Sequence, residues 1–185
     1  MARLLSGAFD RVVTVDPHLH RTNDLNDVFS VPVTQLSAAH LLGSVIARDL
    51  AGQKVVLVGP DVESRPWVKS AAYAAAADFL VGTKVRRTDR DVAIEIDGLD
   101  GVRGKATVIV DDMVSTGSTV CTTARQLLEP GADRIELCVT HLLASAEDTA
   151  RMYAAGVSRI VSTDSVEHST NAVLLAPLLA DALRE

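Results

Sequence analysis

Short β-branched runs alternate with longer Ala- and Leu-rich stretches along this 185-residue chain. Arg11–Asp16, Lys54–Val58, Phe79–Gly82, Val92–Ile96, Thr107–Val110, Arg134–Thr140 and Arg159–Ser162 read as strands. Several are continuous apolar runs, the pattern of strands buried on both faces. Between them, apolar residues return at helical spacing: Leu41, Leu42, Val45 and Ile46, then Val120, Ala124, Leu127 and Leu128. Further helices are predicted over Glu147–Ala155 and Val173–Leu183, with a short one over Arg3–Ala8. Gly131 and Gly156 follow two of these patterns, where a left-handed cap residue belongs. The alternation predicts an α/β fold: an open, mainly parallel twisted sheet with helices on both faces. The strand at Arg11–Asp16 stands apart, because a polar stretch separates it from Val31-Pro32. It either adds to the edge of the main sheet or belongs with a preceding domain.

Composition narrows the function. A net charge of −6 with 3% aromatic residues argues against nucleic acid, which calls for basic patches and stacking platforms. No apolar run approaches the roughly 20 residues of a membrane helix, and the first ten residues lack the apolar core of a signal peptide. Cys121 and Cys138 fall in segments that read as buried helix and strand, so free thiols in a reducing cytosol are expected. An acidic protein that handles anions must concentrate positive charge locally or recruit metal. The dense basic cluster is Lys84, Arg86, Arg87 and Arg90.

Candidate chemistry lies after the strand Thr107–Val110, in the loop between Asp111 and Thr119. Ligands of open α/β sheets bind beyond the carboxyl ends of strands. Ser115, Thr116, Gly117, Ser118 and Thr119 offer hydroxyls, a turning glycine and amides at a helix start, a combination that binds phosphate. Asp111 and Asp112 supply acceptors behind it, suited to two adjacent sugar hydroxyls. The structural alternative is that Ser118 caps the helix and the aspartates cap a turn.

The string VIVDDMVSTGST resembles the phosphoribosyl-diphosphate loop shared by phosphoribosyltransferases and ribose-phosphate pyrophosphokinases (PRPP synthetases). Three further segments resemble the synthetase branch. Thr14-Val15-Asp16-Pro17-His18 looks like its strand-ending motif, whose histidine serves the Mg·ATP site. Gly59-Pro60-Asp61-Val62 resembles a second strand end, whose aspartate belongs to a metal site beside the ribose. Lys84-Val85-Arg86-Arg87 resembles the start of its flexible catalytic loop. The tail Ala176-Pro177-Leu178-Leu179-Ala180 is also similar. Each has a plainer reading: His18 as a turn residue, Asp61 as the cap of a following helix, the basic run as a solvated edge.

The resemblance implies a type I phosphoribosyltransferase-like fold and transfer of diphosphate from ATP to the C1 hydroxyl of ribose 5-phosphate, giving PRPP and AMP. It implies catalytic roles for Lys84 and Arg86, ribose 5-phosphate binding by Asp111, Asp112 and Ser115–Thr119, and Mg²⁺ at His18 and Asp61. It also implies a cytoplasmic homo-oligomer. Residues 1–30 are expected to be the end of a preceding domain, 31–168 the phosphoribosyltransferase-like domain and 169–185 a terminal helix. Synthetases of this family are longer at the amino end, where an additional domain supplies adenine contacts. Glu63-Ser64 stands where many members carry two glycines, and Ser115 where many carry aspartate, the latter being common among the transferases. A PRPP-consuming phosphoribosyltransferase and a non-catalytic, synthetase-like regulatory subunit are the alternatives.

Overall fold

The computed structural model describes residues 1–19, 24–88 and 91–184, excluding the side chains of 84–88 and 91–93. Two compact units emerge: Met1–Ala38 with Leu174–Glu185, and Ala39–Val173. In the first, α1 (Ala2–Ala8) precedes β1 (Val12–Val15), which pairs in parallel with β2 (Val33–Leu36) from Val12↔Val33 to Val15↔Leu36. The isolated strand of the sequence therefore has a partner of its own and does not extend the main sheet. Sequence pattern missed β2 because Val33–Leu36 carries two polar residues in four positions.

The second unit starts with α2 (Ala39–Asp49) and β3 (Val55–Gly59), then α3 (Arg65–Ala75), β4 (Asp78–Thr88) and β5 (Asp91–Ile96). It continues with β6 (Ala106–Val114), α4 (Ser118–Leu128), β7 (Arg134–Leu142), α5 (Ala146–Ala154), β8 (Val157–Thr163) and β9 (Asn171–Val173). Among the described residues the strands form a seven-stranded sheet in the order β5-β4-β3-β6-β7-β8-β9. All neighbours are parallel except β4 and β5. Helices cover both faces, as the side-chain alternation of the strands requires. Val56, Val58 and Ile109 join α4 and α5 residues in one apolar cluster, whereas Leu57, Val108 and Val110 join α2 and α3 residues in the other.

Other elements also depart from the sequence expectation. β6 does not stop at Val110 but runs on through Asp111 and Asp112 to Val114, because β7 pairs with it as far as Val114↔Leu142. β4 likewise continues past Gly82 to Thr88 by pairing with β5. The closing helix, α6 (Ala176–Arg184), begins later than Val173, since Pro177 is tolerated only in a first turn and Asn171–Val173 pairs with β8. Helix α3 carries a weak apolar signal because it buries Val68 and two alanines, Ala71 and Ala72. Small residues suit it: a Cβ on Gly43 of α2 would lie 2.3 Å from the Ala71 carbonyl oxygen. Gly131 and Gly156 take φ of 92° and 108°, the left-handed caps expected of them. Cys121 and Cys138 are buried and unbridged. Burial pushes the Cys138 thiol up, which leaves it inert at neutral pH.

Candidate functional site

After β3 the chain crosses to β4 and β5 on one side, then returns to β6 on the other side of β3. The crevice between the carboxyl ends of β3 and β6 is thus a topological switch point, the place where open α/β sheets hold ligands. Asp61 follows β3, and Asp111 and Asp112 lie near the end of β6.

Asp61 is the cap that its plainer reading foresaw. Its Oδ1 accepts from the amides of Glu63 at 3.0 Å and Ser64 at 3.2 Å. The Ser64 hydroxyl returns a bond to the Asp61 carbonyl at 2.5 Å. The Asp61 amide donates to Ser64 Oγ at 3.3 Å, which completes a capping box that glycine at position 64 cannot make. Gly59 makes room for it, since a Cβ there would sit 2.4 Å from Ser64 Oγ. The cap holds the Asp61 carboxylate near Asp111, whose ionisation it opposes.

Asp112 is buried at 3% exposure, and its amide donates to Asp111 Oδ1 at 3.0 Å. Burial pushes the Asp111 carboxyl up to about 8, with the charges of Asp112 and Asp61 adding to the effect. Such a group takes up a proton, a hydroxyl donor or a cation with a gain in free energy.

The phosphate-type loop shrinks to the few residues between β6 and α4. Gly117 is the N-cap of α4 at φ 69°, and no side chain caps that helix start. The capping role allowed for Ser118 is not what the structure has; its hydroxyl lies 3.3 Å from that of Thr116. Asp111, Ser115, Thr116, Gly117, Ser118 and Thr119 line a cavity of about 110 Å³. A single water needs only about 10–15 Å³ of such space, so the cavity has room for a small anion. Its floor is the start of α4, where amides and the helix dipole favour an anion.

Lys84 and Arg86 lie on the strand β4. Their backbone is paired with Ile94 and Val92, while their side chains, like those of Arg87 and all of Arg90, fall outside the described residues. His18 is half-buried in the other unit, shortly after β1. Asp16, before it, takes φ 41° and accepts from the Ala38 amide at 2.9 Å. Among the described residues no three His, Cys, Asp or Glu side chains are grouped to enclose a metal ion. No described helix is long and apolar enough to cross a membrane.

Comparison with known proteins places this geometry in context. Residues 32–174 match the phosphoribosyl transferase domain. A ribose-phosphate pyrophosphokinase of Methanopyrus kandleri is 34% identical over 183 residues, covering 99% of this chain and 62% of the relative. Another, from Methanosarcina mazei, is 34% identical over 174 residues, covering 94% of this chain and 57% of the relative. The crystal structure of phosphoribosylpyrophosphate synthetase from Mycobacterium smegmatis superposes with a TM-score of 0.78 at 29% identity, over 99% of this chain and 61% of that one. The chain therefore spans about three-fifths of the length of these proteins.

The carboxylate cluster has a measurable signature. Below pH 4 Asp111 is protonated in folded and unfolded chains alike, and contributes nothing to pH dependence. Between about 4 and 8 the folded chain keeps a proton that the unfolded chain has lost, so stability falls as pH rises. The slope is at most ~1.4 kcal/mol per pH unit. Asp111→Asn should therefore stabilise the ligand-free protein, with a gain that is small at pH 5 and largest at pH 9. Urea unfolding across that range checks this, and a pH-independent difference would contradict it.

Proposed function

The chain belongs to the phosphoribosyl transferase domain family, and from that premise we propose that it is a ribose-phosphate diphosphokinase. It transfers the β,γ-diphosphoryl group of ATP to the C1 hydroxyl of ribose 5-phosphate, giving PRPP and AMP. The observation that carries this reading is the switch-point crevice, with an anion cradle at the start of α4 and three carboxylates beside it. Similarity to ribose-phosphate pyrophosphokinases supports this reaction over transfer to a nucleobase.

In this reading the amides and hydroxyls of Ser115–Thr119 hold the 5-phosphate. Asp112, and Asp111 once it releases its proton, accept hydrogen bonds from the ribose hydroxyls, each charge-assisted bond contributing roughly 1.5–3 kcal/mol. Holding the sugar this way aims its C1 hydroxyl toward the diphosphate, and positioning within about 3–3.5 Å removes much of the barrier. Lys84 and Arg86 stabilise charge on the transferring group. The carboxylate oxygens suit Mg²⁺, a hard cation usually bound through one or two carboxylates plus substrate phosphates. Asp61 would hold it beside the ribose and His18 would serve the ATP side. When bound, the ion neutralises charge on the phosphoryl oxygens. Buried, unbridged cysteines suit a reducing compartment, and we assign the protein to the cytoplasm.

Ser115 favours a second reading, a phosphoribosyltransferase that consumes PRPP. A single assay separates the two. With ribose 5-phosphate, ATP and Mg²⁺, AMP release is expected, and Asp112→Asn should abolish both turnover and calorimetric binding of ribose 5-phosphate while leaving the fold intact. Consumption of PRPP that requires a nucleobase, without AMP release from ATP, would establish the transferase instead.

Self-association is part of the proposal. None of the α1 residues is buried, and Met1, Leu4 and Phe9 are 89%, 70% and 60% exposed. A two-stranded sheet is also marginal without further packing. Sedimentation should show an oligomer that Leu4→Ser with Phe9→Ser dissociates; a monomeric wild type would refute the assignment.

A further inference from the structure

The anion cradle is backed by one side chain of another helix. Gly117 does more than adopt a positive φ: a Cβ there would lie 2.7 Å from Met152 Sδ, 2.8 Å from Cγ and 3.2 Å from Cε. The thioether of α5 therefore lies against the bare Cα of the turn that starts α4. Met152 is fully buried, and it shares an apolar cluster with Val114 and Val120, the residues flanking the loop on either side. Helix α5 is itself fixed at its amino end. The Ser145 amide donates to Asp148 Oδ2 at 3.0 Å, the Asp148 amide donates to Ser145 Oγ at 3.1 Å, and Asp148 pairs with Arg151.

We propose that Met152 is a positioning residue for ribose 5-phosphate, bracing Gly117 so that the first amides of α4 stay aimed into the cradle. This rests on the phosphate-binding reading of the loop. Two independent constraints meet at Gly117. The left-handed turn disfavours any Cβ by itself, and Met152 adds a steric one that depends on its own volume. Without the thioether, the turn has room to relax into conformers whose amides no longer converge. Affinity then falls by the fraction of chains still in the competent conformer. Methionine suits the role, because its three torsions let it fill an irregular gap without straining the turn.

The two constraints make opposite predictions for a double variant. Gly117→Ala should weaken ribose 5-phosphate binding roughly tenfold or more, through both strain and contact. Met152→Ala should weaken it about tenfold, as a competent population of about one-tenth implies, with ATP affinity unchanged. Met152→Leu, of similar volume, should restore wild-type binding. In the double variant the methyl introduced by Gly117→Ala meets no thioether, so binding should be tighter than in Gly117→Ala alone. Calorimetry with ribose 5-phosphate measures all four, and Met152→Val replaces Met152→Ala if the latter does not fold. Additive losses in the double variant, or unchanged affinity in Met152→Ala, would overturn the proposal. Absence of binding by the wild-type protein would instead refute the phosphate-loop reading.

Discussion

The parallel pairing of β3 with β6, from Val55↔Ala106 to Val58↔Ile109, is the constraint on which the site depends. Because both strands run the same way, both end on the same edge of the sheet. Because the chain visits β4 and β5 before returning to β6, that edge opens into a crevice and is not bridged by a tight turn. Asp61 then stands beside Asp111, and the start of α4 faces the same space. Asp61 is far in sequence from the other two elements of the site, and only the sheet brings them together. A register slip of one residue would turn Asp112 from the interior and expose the apolar residues around it.

Crowding acids in this way costs stability, as the high proton affinity of Asp111 shows. The fold supports that cost with two apolar clusters on opposite faces of the sheet. For the proposed function the same crowding is an asset. Hydroxyl donors or a divalent cation relieve the repulsion on binding, so part of the electrostatic penalty becomes ligand affinity. An acidic chain can thus hold an anionic sugar. On the proposed reading, carboxylates would address the hydroxyls and metal, while backbone amides and a helix dipole, which add no net charge, would address the phosphate.

Much of this was legible in the residues. Continuous apolar runs marked the strands of a sheet covered on both faces, and the hydroxyl-rich segment after β6 marked the turn that leads into α4. What sequence could not show is what distant chain segments decide. The length of β6 is set by β7, so Asp111 and Asp112 looked like loop residues although they lie in a strand. Pattern overlooked α3 because close packing against Gly43 selects alanines, which carry little periodic signal. The replacement of glycine by Ser64 looked like a departure and proved to be half of a capping box. Met152 gave no signal at all, because nothing in its neighbourhood indicates that Gly117 lies against it.

The proposed function requires the amino end of α4 to be a preformed phosphate cradle. Amide chemical shifts of the full chain during titration with ribose 5-phosphate test it most directly. Saturable shifts of the Gly117, Ser118, Thr119 and Val120 amides are expected, with smaller ones at Asp111 and Asp112. Saturable binding that leaves those four amides unmoved, with perturbations centred elsewhere, would contradict it.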